Sequence, residues 1–219
     1  MFQYILFDLD GTLTDPKEGI TKSVQYALAA FGIHEPDLDK LIPFIGPPLK
    51  SSFMDFYQMS DEDAVKAVAK YRERFNDIGI YENAIFPGIA KLLSDLKAQG
   101  KKIAIASSKP TCLVNRILEH FEIMQYFDYV VGSELDGTRS KKEEVVEEAL
   151  RLMVPESDRH LVAMVGDRKF DIEGAKAFGL VSVGVSFGYA GEHELEDAGA
   201  DYIVDTVEEL SELLMRGKA

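Results

Sequence analysis

The chain has 219 residues, 46% of them hydrophobic, with 38 acidic side chains against 24 Lys plus Arg and a formal net charge of -14. That length suffices for one large core or for a core with an inserted second unit. The charge excludes the broad basic surfaces that hold nucleic acid or anionic membranes, so an anion could be held only by a local cluster of cations or a metal.

The first element is FQYILFD, an apolar run that ends at Asp8 and reads as a strand over Tyr4 to Asp8. Residues 16–83 show no strand pattern. They read as helices: KEGITKSVQYALAAFG, a short DLDKLIPFIG, PPLKSSFMDFYQ, and SDEDAVKAVAKYRERF with a Ser-Asp-Glu start signal. Turn-forming DP at Asp15-Pro16 and IFPG at Ile85 to Gly88 flank this stretch. Beyond it strands and helices alternate. Strands are expected at KIAIAS (Lys102 to Ser107), YVVG (Tyr129 to Gly132), LVAMVGD (Leu161 to Asp167), VSVGV (Val181 to Val185) and YIV (Tyr202 to Val204). Helices are expected at GIAKLLSDLKAQG, TCLVNRILEHF, KEEVVEEALRLM, DIEGAKAFG and TVEELSELLM.

Near-continuous apolar strands alternating with helices predict an α/β doubly wound parallel sheet. The expected division is a core of residues 1–15 and 84–219, with an all-helical unit, 16–83, inserted after the first strand. A single cysteine, Cys112, permits no intrachain disulfide. No apolar stretch approaches the ~20 residues of a membrane span, and Asp8 interrupts the first run before a signal sequence could form. A cytoplasmic location is therefore expected.

Acidic and polar residues collect at the strand ends. Residues i and i+2 of a strand face the same way, so Asp8 and Asp10 would point together, at the end where parallel sheets bind ligands. Two converging carboxylates call for a cation between them, and a hard divalent ion such as Mg²⁺ is suited to oxygen ligands. The structural alternative is an Asp-Gly turn. KIAIAS ends in Ser107-Ser108-Lys109, where a hydroxyl could meet a phosphate oxygen or cap the next helix. Asp167 and Asp171 follow LVAMVG and could approach one ion, although an acid at Asp171 also suits a helix N-terminus. Lys141 and Lys142 sit at a helix start, where a cation opposes the helix dipole; they are either solvated or aimed at an anion. The four histidines show no ligand spacing.

FDLDGTLTD, IASSK, SKKEEVV and VGDRKFD occur in the order of the four motifs of the haloacid dehalogenase-like hydrolase superfamily, which the chain resembles along nearly its whole length. GLVSVGVSFGYAGEHELEDAGADYIVDTVEEL looks like the phosphoglycolate phosphatase-like branch, and FIGPPLKSSF resembles 5′-nucleotidase-like members. The resemblance implies a Rossmann-like core with a helical cap. It implies Asp8 as nucleophile, Asp10 as general acid/base, Ser107 on the phosphoryl group and Lys142 pairing with Asp8 and the phosphate. It implies Mg²⁺ held by Asp8, the Asp10 backbone carbonyl, Asp167 and Asp171, with Ser108 near the phosphate. The implied activity is a Mg²⁺-dependent phosphatase acting through an aspartyl-phosphate on phosphoglycolate, a 5′-nucleotide or a similar small phosphorylated metabolite. A phosphosugar mutase of the same fold and a phospho-accepting signalling module are the alternatives. Asp10 separates this chain from metal-independent dehalogenases, which lack an acid there. Lys17, Lys22 and Lys50 are candidate substrate contacts in the cap. Tyr26, Phe44, Phe53, Phe56 and Tyr57 are expected in the cap core rather than as a base-stacking platform. The expected partner is a small metabolite, without nucleic acid or membrane, for a monomer or homodimer.

Overall fold

A computed structural model describes residues 1–216. The chain divides into two compact units. One comprises Met1–Thr14 and the chain from Ile85 onward; the other is Asp15–Ala84.

The first unit is built on six parallel strands: β1 (Tyr4–Phe7), β4 (Lys102–Pro110), β5 (Tyr129–Ser133), β6 (Val162–Gly166), β7 (Val181–Val185) and β8 (Tyr202–Val204). Their order is β5-β4-β1-β6-β7-β8. β1 is thus central: Tyr4 stands opposite both Lys102 and Val162. From β1 the chain builds outward through β4 to β5, then returns through β6 to build the other half. The strand order reverses between β1 and β6, which places a ligand-binding crevice beyond their carboxyl ends.

Both sheet faces are buried, as the apolar strands require. Leu6, Ala104, Ala106, Val162 and Met164 pack with Val145, Val146, Ala149 and Leu150 of α6 (Lys142–Met153) and Ala175 of α7 (Lys169–Ala177). The intervening residues Ile5, Phe7, Ile103, Ile105, Ala163 and Val165 point to the opposite face by the two-residue period and are also fully buried. The other helices of this unit are α4 (Ile89–Ala98), α5 (Thr111–His120), the short α8 (Glu194–Asp197) and α9 (Val207–Arg216). α4 buries Ile89, Leu92, Leu93 and Leu96, its whole apolar stripe.

Among the differences from expectation, three bear on the site. β4 continues past Ser107 to Pro110, because a register shift against the edge strand β5 accommodates a residue without an N–H. Neither Ser107 nor Ser108 caps α5; Pro110 precedes its first residue and supplies no side-chain cap. α7 begins at Lys169, two residues before the DIEGAKAFG run, and Asp171 lies in its first turn.

The second unit contains α1 (Lys17–Ala29), a 3₁₀ segment (Leu38–Phe44), α2 (Leu49–Tyr57), α3 (Asp61–Arg74) and a π-helical turn (Phe75–Gly79). Ser60 caps α3 by accepting a hydrogen bond from the Asp63 N–H. Phe44 and Phe53 are buried, with ring centroids 5.0 Å apart, so these two are core, whereas Tyr26 and Phe56 are largely exposed. At the boundary between units, β2 (Thr14–Asp15) and β3 (Ala84–Ile85) form a separate two-stranded sheet.

A forked ion pair ties α3 to the end of the second unit. Arg74 donates to both carboxylate oxygens of Glu82 at 2.7 and 2.9 Å and also to Ser23 Oγ. Arg74 holds the Glu82 carboxyl below the usual glutamate range, against the upward push of burial. The pair therefore adds stability above the unfolded glutamate pKa and loses it as pH falls through the lowered folded value. Glu82→Gln is expected to cost about 1–2 kcal/mol near neutral pH. The gap between wild type and variant should close in acid, which urea unfolding at both pH values would measure.

Candidate functional site

The crevice between β1 and β6 is lined by charge. Asp8 extends β1 by one residue, since its N–H still donates to Val165 O at 2.9 Å. The chain then turns tightly: the N–H groups of Thr12, Leu13 and Thr14 all approach Leu9 O. Gly11 permits this turn with φ +81°, and a Cβ there would lie 2.1 Å from Asp167 Oδ2.

Six of the expected residues meet here, and all are buried: Asp8, Asp10, Ser107, Lys142, Asp167 and Asp171. Lys142 is the first residue of α6, and its Nζ lies 2.8 Å from Asp8 Oδ1, 2.8 Å from Asp171 Oδ1 and 3.0 Å from Ala106 O. Burial alone would lower the Lys142 pKa, but Asp171 and Asp8 outweigh it and hold the ammonium above its ordinary value. Lys141 stays outside this group; its N–H donates to Glu144 at the start of α6. A cation opposed to the helix dipole is thus compensated by two buried carboxylates.

Asp167 follows β6 and accepts hydrogen bonds from Thr12 Oγ1 at 3.3 Å and from the Tyr189 N–H at 2.7 Å. Burial raises its pKa well above the carboxylate range, and Asp171 and Asp8 push it further. Asp171 does two things. Its Oδ2 accepts from the Arg168 N–H, capping α7, while Oδ1 faces Lys142. Burial lifts its pKa to about 6, against the pull of Lys142.

Asp8, Asp167 and Asp171 can each turn one carboxylate oxygen into a cluster within 4.8 Å. Asp8 and Asp171 share the buried ammonium of Lys142, and Asp167 adds a third buried carboxylate beside them. Such a set fits a divalent cation of the oxygen-seeking kind. The Asp10 side chain stands outside this triad. Its Oδ2 accepts from Lys109 Nζ at 2.5 Å. Burial raises the Asp10 pKa and Lys109 draws it partly back.

Ser107 lies beside this group on β4, and the Lys109 N–H approaches its Oγ at 3.4 Å. Ser108 is partly exposed and offers its carbonyl to Ser133 Oγ at 2.8 Å. The candidate lysines of the inserted unit all pair locally: Lys17 with Asp39, Lys22 with Glu18 and Glu82, and Lys50 with Asp61.

Sequence reasoning passed over three contributors: Lys109, Thr12 and Glu194. Glu194 accepts from Arg168 Nε and from the Lys169 and Gly191 N–H groups, fastening the loop that brings Tyr189 to Asp167. Lys109 is the last residue of the IASSK motif. Nothing in the spacing pointed to Asp10, far away in the chain.

The family model described as haloacid dehalogenase-like hydrolase matches residues 5–185. A 5′-nucleotidase of Pseudomonas aeruginosa is 48% identical over 191 residues, covering 87% of this chain and 86% of that protein. Tyrosine-protein kinase PtkA of Mycobacterium tuberculosis is 37% identical over 97% of this chain and 72% of its own length. The crystal structure of a predicted phosphatase from Clostridium acetobutylicum superposes with a TM-score of 0.95 at 46% identity, covering 99% of this chain and all of that one. With the family model spanning most of its length and the acidic strand ends in their expected order, this chain belongs to the haloacid dehalogenase-like hydrolase family.

Proposed function

We propose that the protein is a Mg²⁺-dependent phosphomonoester hydrolase that works through an aspartyl-phosphate on Asp8. The observation that carries this is the buried cluster of Asp8, Asp167 and Asp171, with Lys142 bridging Asp8 and Asp171. Phosphatases and a 5′-nucleotidase among its relatives support the same activity. A nucleoside 5′-monophosphate is the first candidate substrate and phosphoglycolate the second.

In the first step an Asp8 carboxylate oxygen bonds to phosphorus while the ester P–O bond breaks, and Asp10 gives its proton to the departing oxygen. In the second, water attacks phosphorus, Asp10 takes back a proton, and inorganic phosphate leaves as the Asp8 carboxylate is restored. Lys142 neutralises charge on Asp8 and the phosphoryl oxygens, and the Ser107 hydroxyl donates to one of them. Asp8, Asp167 and Asp171 would hold the Mg²⁺, which supplies charge neutralisation on the phosphoryl group. Lys17, Lys22 and Lys50 would have to leave their carboxylate partners to meet a substrate.

Asp10→Asn tests the division of labour. It is expected to bind orthovanadate within about threefold of wild type while turnover drops about 10²–10⁴-fold. Undiminished phosphate release would remove Asp10 from the mechanism. Screening nucleoside monophosphates, phosphoglycolate and phosphosugars for inorganic phosphate release distinguishes a phosphatase from a mutase, which would move the phosphoryl group without freeing it. A stable aspartyl-phosphate without turnover would instead indicate a phospho-accepting module.

A further inference from the structure

The end of β4 is irregular in a way that serves one side chain. The pairing of β4 with β5 jumps from Ala106↔Val131 to Pro110↔Ser133, so Ser107, Ser108 and Lys109 stand against Gly132 alone. A bulge of this kind bends the strand and re-aims its side chains. It is held from both sides. Ser133 Oγ donates to Ser108 O at 2.8 Å, Thr111 Oγ1 donates to Ser133 O at 3.2 Å, and the Gly132 N–H donates to Thr111 Oγ1 at 3.2 Å. A Cβ on Gly132 would fall 2.4 Å from Lys109 O and 2.7 Å from Thr111 N, so the bulge requires glycine opposite it.

The re-aimed residue is Lys109. Its side chain is 7% exposed and that of Asp10 is 11%, with Nζ 2.5 Å from Asp10 Oδ2. The other oxygen, Asp10 Oδ1, is buried and accepts no hydrogen bond. A carboxylate with one oxygen clamped by a buried ammonium is fixed in rotation, and only its second oxygen can exchange a proton with a reacting group.

We propose that Lys109 is a positioning residue: held by the β4 bulge, it clamps Asp10 Oδ2 and so presents Oδ1 as the oxygen that passes the proton. The proposal rests on the reading of Asp10 as general acid/base. In the first half-reaction the proton leaves Oδ1 for the departing ester oxygen as the P–O bond breaks. In the second, the same oxygen receives a proton from the attacking water.

The test compares kcat/KM across a series of aryl phosphates of graded leaving-group strength, with Mg²⁺ present. kcat/KM reports the first half-reaction, in which a weak leaving group needs the proton and p-nitrophenolate hardly does. For Lys109→Met, p-methoxyphenyl phosphate is expected to fall about 100-fold and p-nitrophenyl phosphate less than about tenfold, steepening the dependence on leaving group. Lys109→Arg, which can still clamp Oδ2, should keep the wild-type dependence within about threefold. Ser133→Ala, which loosens the bulge without touching Asp10, should steepen it in the same direction by about threefold to tenfold, so the proposal does not depend on Lys109→Met folding well.

A uniform loss across the series in Lys109→Met would make Lys109 a phosphate contact or a structural residue and overturn the proposal. So would an unchanged series. Asp10→Asn separates the two readings. If it steepens the dependence while Lys109→Met does not, only the Lys109 proposal fails. If the wild type releases phosphate from no aryl ester, or Asp10→Asn leaves the series unchanged, the acid/base reading fails and the Lys109 proposal goes with it.

Discussion

The Asp8→Asn protein is expected to release no phosphate above background, a loss of at least about 10⁴-fold relative to wild type. An amide is too weak a nucleophile to displace an alkoxide and could not be regenerated by simple hydrolysis. The substitution keeps the shape of the side chain at the end of β1. Lys142 keeps Asp171 at 2.8 Å and Ala106 O at 3.0 Å. It also removes one of three mutually repelling carboxylates, so the fold should survive and the melting temperature should change little. Acid-quenching the wild type during turnover of a ³²P-labelled ester should trap protein-bound phosphate that hydroxylamine cleaves; Asp8→Asn should trap none. Appreciable turnover by Asp8→Asn, or label recovered on a serine or histidine, would show that the chemistry runs through another residue.

The second large effect concerns the cation. Chelation is expected to reduce phosphate release on the order of 10³-fold, with recovery on adding Mg²⁺. A separate readout needs no substrate. A cation that binds only the folded chain stabilises it by about 2.7 kcal/mol at a hundred times its Kd, so Mg²⁺ should raise the melting temperature of the wild type. Asp167→Asn should abolish that rise. In metal-free buffer the same variant should stay within about 1 kcal/mol of wild type, because burial and two neighbouring carboxylates already disfavour the charged form of Asp167. A wild-type melting point indifferent to Mg²⁺ would mean that the triad is not a cation site.

How much of this could be read from residue order depended on the range of each interaction. β7 and β8 coincide with their apolar runs, because a buried parallel strand is a continuous local signal. α6 begins at Lys142 and ends at Met153, as its apolar spacing indicates. The end of β4 could not be read, since Ser-Ser-Lys-Pro looks like a terminator unless the partner strand is known to hold a glycine opposite. Two-residue strands such as Thr14–Asp15 are too short to show any period. The acids at the strand ends were conspicuous because each follows an apolar run. Their partners were not: the contacts of Lys109 with Asp10 and of Tyr189 with Asp167 join distant segments, and only the sheet topology brings these together. Lys17 and Lys50 showed the converse, since an isolated cation in the sequence gave no sign of Asp39 or Asp61 beside it.

The central place of β1 has a consequence for how the molecule is made. β1 precedes both of its neighbours in the chain, and the second of them, β6, begins only at Val162. Until β6 is made, the apolar segment of β1 can pair only with β4, while local units such as α1 and α3 can form on their own. The carboxylates of Asp8, Asp167 and Asp171 can meet only after that last central pairing has closed. Divalent-ion binding would thus be absent from every partial chain that stops short of Asp171 and would appear once β1 and β6 have paired. In a refolding experiment, the ion would serve as a chemical signature that the two halves of the sheet have joined.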